Sequence, residues 1–98
     1  MQIRWTKRAA SNLDSIIAYI AQDNPLVAKK FLGELLQKID HLQRFPLLGR
    51  PGLVSSTREL VIHHNYIAYY RLKQVKVQVQ GQEQVEILRV LNVRRQYP

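Results

Sequence analysis

The residues best suited to chemistry crowd the last dozen positions of this chain. An apolar run from Ile87 to Leu91, interrupted by Arg89, leads into Arg94, Arg95 and a lone aromatic, Tyr97. Planar guanidinium forks pair bidentately with phosphate and carboxylate alike, so the cluster points to an anionic partner: a phosphate backbone or an acidic protein segment. Arg58 and Arg71 add cations upstream. Metal-free RNA cleavage needs a base for the 2′-hydroxyl proton, cations for the developing phosphorane and an acid for the leaving oxygen. Arg58, Arg71, Arg89, Arg94 and Arg95 could be the cations, and Tyr97 or a histidine the proton donor. The set is permissive, since many basic domains hold these residue types.

His63-His64 is the other candidate. Adjacent strand residues point to opposite faces, so the pair does not readily chelate one ion, although either ring could act as a general base near neutral pH. A turn residue beside a half-buried one is the simpler reading. With no cysteine there is no disulfide, thiol nucleophile or thiolate metal site. A GxGxxG, a P-loop and an HExxH are all missing, and Gly49-Arg-Pro-Gly52 is too short to cradle a nucleotide. Neither cofactor nor metal is expected. Lys29 and Lys30 read as a solvated helix face, Tyr66, Tyr69 and Tyr70 as sheet packing, and Trp5 as a core or edge aromatic.

Ninety-eight residues, 46% hydrophobic and 22% charged, suit one globular domain over 1–98 with one modest core. Fifteen Lys and Arg against seven Asp and Glu give +8, a strong field that favours acidic partners. Without a signal-peptide core or an apolar run of membrane-spanning length, the expected location is the cytoplasm.

The positioning elements follow from periodicity. Gln2 to Trp5 alternates as a first strand. Thr6 is placed to cap a helix striped by Ala10, Leu13, Ile16, Ile17 and Ile20. Asn24-Pro25 ends it and starts a second helix, whose apolar face is Ala28, Phe31, Leu32, Leu35, Ile39 and Leu42. Gly33 interrupts that helix, and close approach of the first helix is one reason it could have. Phe45 to Gly52 is loop punctuation. The period then becomes two: strands over Arg58–His63, Tyr66–Leu72 and Val85–Leu91, with His64-Asn65 a turn. Val75, Val77 and Val79 alternate through a hairpin extension turning near Gly81. The predicted architecture is α+β, order β-α-α-β-β-β, with a helical hairpin packed on one face of a small antiparallel β-sheet.

Trp5-Thr6 with Ala9, Leu13, Ile16 and Tyr19-Ile20, then Asp23-Asn24-Pro25, Ala28 and Phe31 carry a resemblance that runs almost the whole chain. It continues through Pro46, Gly49-Arg50-Pro51, Thr57-Arg58-Glu59-Leu60, Tyr66-Ile67, Tyr70-Arg71 and Val85 to Leu91, and ends in Arg94-Arg95-Gln96-Tyr97-Pro98. The sequence resembles the RelE/ParE superfamily of toxins from bacterial toxin–antitoxin systems, and is more similar to ParE. The resemblance implies a growth-inhibiting toxin neutralised by an acidic antitoxin that wraps around it as a hetero-oligomer. ParE-like members poison DNA gyrase; RelE-like members cleave mRNA on the ribosome. RelE-type lysines are missing from the strand at Arg58–His63, which continues Glu59-Leu60-Val61-Ile62, and Asn92 stands where close relatives commonly carry histidine. A non-catalytic gyrase inhibitor is therefore expected, with Arg89, Arg94, Arg95 and Tyr97 as target contacts and Arg58 and Arg71 as antitoxin contacts. The alternatives are a RelE-like nuclease using Arg94, Tyr97 and His64, and a degenerate member that binds antitoxin without toxicity.

Overall fold

Each helix starts where its capping side chain dictates. The Thr6 hydroxyl accepts the Ala9 N–H at 3.0 Å and opens α1 (Lys7–Asp23). Asn24 Oδ1 accepts the N–H groups of Leu26 and Val27, and Pro25 occupies the first turn of α2 (Pro25–Asp40). Strand β1 (Gln2–Trp5) precedes them; β2 (Arg50–Pro51), β3 (Arg58–His63), β4 (Tyr66–Val77) and β5 (Gln80–Asn92) follow, with short 3₁₀ turns at His41–Gln43 and Val93–Gln96. The computed structural model describes the backbone of residues 1–77 and 80–96, and the side chains of these residues apart from 75–77, 80–82, 95 and 96.

The sheet runs β1-β5-β4-β3-β2. Every pairing is antiparallel except β1 with β5, which is parallel, from Gln2 opposite Gln84 to Trp5 opposite Ile87. The sheet is otherwise antiparallel, as expected; at this one seam two helices intervene before the chain returns beside its start, a connection long enough for parallel pairing. From Lys73 and Glu83 outward to Val77 and Gln80, β4 and β5 pair only with each other among the described residues, making a two-stranded ribbon beyond the main sheet. Gly81 is paired with Lys76 inside the ribbon, so the turn does not fall on it. Val79 lies outside the described residues, as do the side chains of Val75 and Val77.

One face of the sheet carries Leu60, Ile62, Ala68, Tyr70, Val85, Ile87 and Val90 against Ala9, Ile16, Phe31, Leu35 and Ile39 of the helices. Each large apolar side chain buried there contributes about 1.5–3 kcal/mol of gross stabilisation. Ala9 rather than Ala10 completes the α1 stripe; Ala10 is exposed. A methyl on Gly33 would meet nothing within 4 Å, so close helix approach does not explain that glycine.

The punctuated stretch after α2 is more ordered than a bare loop. It contributes β2, whose Arg50 and Pro51 pair with Glu59 and Arg58. The buried Tyr70 hydroxyl pins it, donating to the Pro46 carbonyl at 2.6 Å and accepting the Gly49 N–H at 2.9 Å. A Cβ on Gly49 would lie 2.7 Å from the Tyr70 ring and 2.8 Å from the Glu59 carbonyl, which is why glycine stands there.

Candidate functional site

The helices cover one face of the sheet and leave the other open. Arg4, Glu86 and Arg71 lie directly opposite one another across β1, β5 and β4, and Arg50, Glu59, Tyr69 and Arg89 form a second row from β2 to β5. Glu86, only 4% exposed, is the buried charge among the described residues. Arg71 Nε donates to its carboxylate at 2.8 Å, with Arg4 at 3.9 Å and Lys73 at 4.0 Å. A carboxylate so placed tolerates burial because cations surround it. Arg50 pairs with Glu59 at 3.0 Å. Among the described residues, five cations thus share this face with two carboxylates.

A shallow groove of about 340 Å³ crosses the same face, lined by Leu53, Val54, Thr57, Glu59, Tyr69, Leu88, Arg89 and Leu91. Its rim is the loop from Gly52 to Thr57, closed by Gly52 N–H to the Thr57 carbonyl at 2.8 Å and by the Thr57 hydroxyl to the Val54 carbonyl at 2.6 Å. Ser56 adopts a left-handed φ of 66°, unusual for a side chain other than glycine or asparagine. This braced loop holds Leu53 wholly exposed and Val54 69% exposed.

A β-bulge builds the groove floor. Tyr69 pairs with Arg89 while Tyr70 pairs with Ile87, so Leu88 is an extra residue in β5. Strict alternation from Val85 and Ile87 would turn Arg89 toward the helices; the bulge puts Leu88 and Arg89 together on the open face and returns Val90 to the core. Beyond Trp5, β5 has lost its parallel neighbour, and α1 supplies the missing partners. The Thr6 hydroxyl lies 2.9 Å from the Ile87 carbonyl and 3.2 Å from that of Leu88, and Asn12 Oδ1 accepts the Val90 N–H at 3.2 Å. The Arg89 guanidinium forms no ion pair among the described residues, and its Nε is buried without a hydrogen-bond partner.

The other expected site residues are scattered by comparison. Arg58 is turned inward, donating to the Gly49 carbonyl at 2.7 Å. Arg71 holds Glu86 but stays 46% exposed. Arg94 is exposed, its N–H bonded to Asn92 Oδ1, while Asn92 Nδ2 donates to the Tyr66 hydroxyl. Tyr97 and the Arg95 side chain lie outside the described residues. His64 sits in the β3–β4 turn, whose Asn65 carbonyl accepts the Val93 N–H, so His64 and Arg94 share one end of the sheet. The expectation that His63 and His64 diverge is corrected. Because His64 belongs to the turn rather than the strand, the rings lie 4.5 Å apart and tilted. Among the described residues no group of three His, Cys, Asp or Glu could hold a metal. No helix is long and apolar enough to cross a membrane.

Sequence reasoning passed over Thr6 and Asn12 as site-builders, and Leu53 and Val54 as a rim. Asn12 carried a signal: asparagine is a poor mid-helix residue unless its side chain has a partner elsewhere.

A helical hairpin packed on one face of a five-stranded sheet, with a cationic and apolar face left open, is a small α+β scaffold that recurs in solved structures of toxin–antitoxin proteins. The chain superposes on a chain of a structure titled "Chromosomal ParDE TA system from P. aeruginosa" with a TM-score of 0.74 and 29% identity, covering 95% of this chain and 96% of that one. A "YoeB/ParE toxin from Agrobacterium tumefaciens" shares the fold at a TM-score of 0.58 and 14% identity, covering 92% and 96%. In sequence it is 40% identical over 98 residues to "Putative toxin Y4kP" of Sinorhizobium fredii (strain NBRC 101917 / NGR234), covering 99% of this chain and 93% of the relative. It is 39% identical over 69 residues to "Toxin RelE2" of Caulobacter vibrioides, covering 70% and 77%. Residues 3–97 match the family described as "ParE toxin of type II toxin-antitoxin system, parDE". The chain belongs to the ParE toxin family.

Proposed function

We propose that this toxin arrests growth by gripping DNA gyrase without catalysis, and that an acidic antitoxin silences it by occupying the same open face. The observation that carries the reading is the Arg89 guanidinium, unpaired among the described residues, on a sheet face where cations outnumber carboxylates. Arg89 and Arg94, with Arg95 and Tyr97 next in sequence, supply the target contact. Arg71, with Arg4 and Lys73 beside it, meets the antitoxin's carboxylates, while Arg58 braces the stretch before β2 through the Gly49 carbonyl. The field of a +8 chain speeds encounter with an acidic partner, and the antitoxin segment orders as it binds. The complex works in the cytoplasm and uses no cofactor.

RelE-like mRNA cleavage is supported by one observation, the shared end of the sheet that holds His64 and Arg94. Against it, the groove beside Arg89 is walled by Leu53, Val54, Leu88 and Leu91, apolar surface that gives an RNA backbone nothing to bind. Induction in bacteria lacking antitoxin separates the readings. Filamentation, SOS induction and trapped gyrase cleavage complexes support the proposal; collapse of translation with cut mRNA overturns it in favour of the nuclease. Normal growth, with antitoxin still bound, would mark a member that has lost toxicity.

A further inference from the structure

We infer that Thr6 and Asn12 are positioning residues for a protein-binding groove: they hold the β5 bulge so that Leu88 and Arg89 together receive an apolar side chain and a carboxylate from the acidic, amphipathic segment of the antitoxin. The inference rests on the proposed toxin–antitoxin reading and adds the place and chemistry of the contact. The bulge alone puts these two unlike side chains on one face, and its outer edge has no neighbouring strand to fix it. The Leu88 carbonyl and the Val90 N–H, on either side of Arg89, find their partners at Thr6, which caps α1, and at Asn12 within it. An unheld bulge would slide toward regular pairing, and a one-residue slip turns Arg89 off the open face.

The lining chooses the occupant. Leu53, Val54, Leu88 and Leu91 offer apolar surface, and Leu53 is wholly exposed on a braced loop. Phosphate gains nothing from such walls, whereas leucines from an amphipathic segment bury against them. Glu59, the nearest carboxylate on this face, is held by Arg50 and leaves Arg89 unneutralised. A carboxylate arriving between the leucines would pair with the Arg89 guanidinium, which no described carboxylate neutralises, in a partly dry site where charge-assisted hydrogen bonds are strong. The groove therefore reads an acid flanked by leucines.

The test uses the full chain and two synthetic helical peptides of identical leucine spacing, one with glutamate and one with glutamine between the leucines. The glutamate peptide should bind more tightly, and Arg89→Gln should weaken it about tenfold or more and erase the preference. Leu88→Ala should weaken both peptides. Asn12→Leu should weaken the glutamate peptide comparably and speed Val90 amide exchange, and Asn12→Asp, which keeps an acceptor for Val90, should restore both. Equal affinity for the two peptides, or an Asn12→Leu chain with fast Val90 exchange and unchanged binding, overturns the inference. Should Asn12→Leu fail to fold, the Asn12→Asp and Leu88→Ala arms still decide it. An RNA oligonucleotide that displaces the glutamate peptide with Arg89-dependent affinity also overturns it. Growth arrest is scored separately: arrest without peptide preference sinks the groove and spares the toxin reading, while preference without arrest does the reverse.

Discussion

Removing the Tyr70 hydroxyl tests whether the stretch from Pro46 to Gly49, which leads into β2, is pinned from inside the core. Tyr70 is fully buried, and its hydroxyl donates to the Pro46 carbonyl and accepts from the buried Gly49 N–H. Tyr70→Phe keeps the ring but strands that N–H and one carbonyl lone pair. A buried donor left without a partner costs about 1–3 kcal/mol, so about 2 kcal/mol is expected. With a urea slope of about 1–1.5 kcal/mol/M for a domain of this size, the midpoint should fall by about 1.5 M.

The pH dependence gives an independent check. Burial raises the Tyr70 pKa above its ordinary value of 10.0, outweighing the Gly49 hydrogen bond and the nearby Arg58 charge, which lower it. A raised pKa in the folded state means that the native protein holds the phenol proton more tightly than the unfolded chain does. This stability is fully present below pH 10 and is lost as pH rises toward the folded value. Subtracting the Tyr70→Phe curve from that of the parent removes the other tyrosines, so the difference should shrink above pH 10. A midpoint shift below about 0.3 M, or a difference that stays flat to high pH, would refute the pinning argument.

Gly33→Ala should stabilise the chain by about 1 kcal/mol, seen as a higher thermal midpoint, since the site is open and alanine favours the helix. Glu86→Gln should destabilise by about 1–2 kcal/mol in urea, a figure held down because its arginine and lysine partners are partly solvated. The same change should tighten capture of acidic peptides, measured by titration at low salt. Arg94→Ala with Arg95→Ala should weaken growth inhibition while leaving circular dichroism and the thermal midpoint in place; loss of folding would show the tail to be structural.

The frame of this molecule was readable because its signals are local. Thr6, Asn24 and Pro25 cap through their own chemistry, and the buried stripe of α2 repeats at helical spacing. The long strands announced themselves by alternation. What escaped depended on residues far apart in the chain. The parallel seat of β1 needs β5, which lies over eighty positions later. The bulge at Leu88 arises because alternation and arginine's need for solvent conflict there, and nothing in β5 alone says that Asn12 resolves it. Arg58 and Arg71 looked like free cations because a sequence does not show which guanidinium a carbonyl or a buried carboxylate will hold.

That late seating of β1 has a consequence for synthesis. Gln2 waits for Gln84, and Thr6 for Ile87 and Leu88, so a chain leaving the ribosome completes its sheet only once β5 has emerged. Prematurely terminated products lack the strand that displays Arg89 and cannot assemble the open face. The sheet thus closes as one late event, its first strand left without a neighbour until β5 has been made.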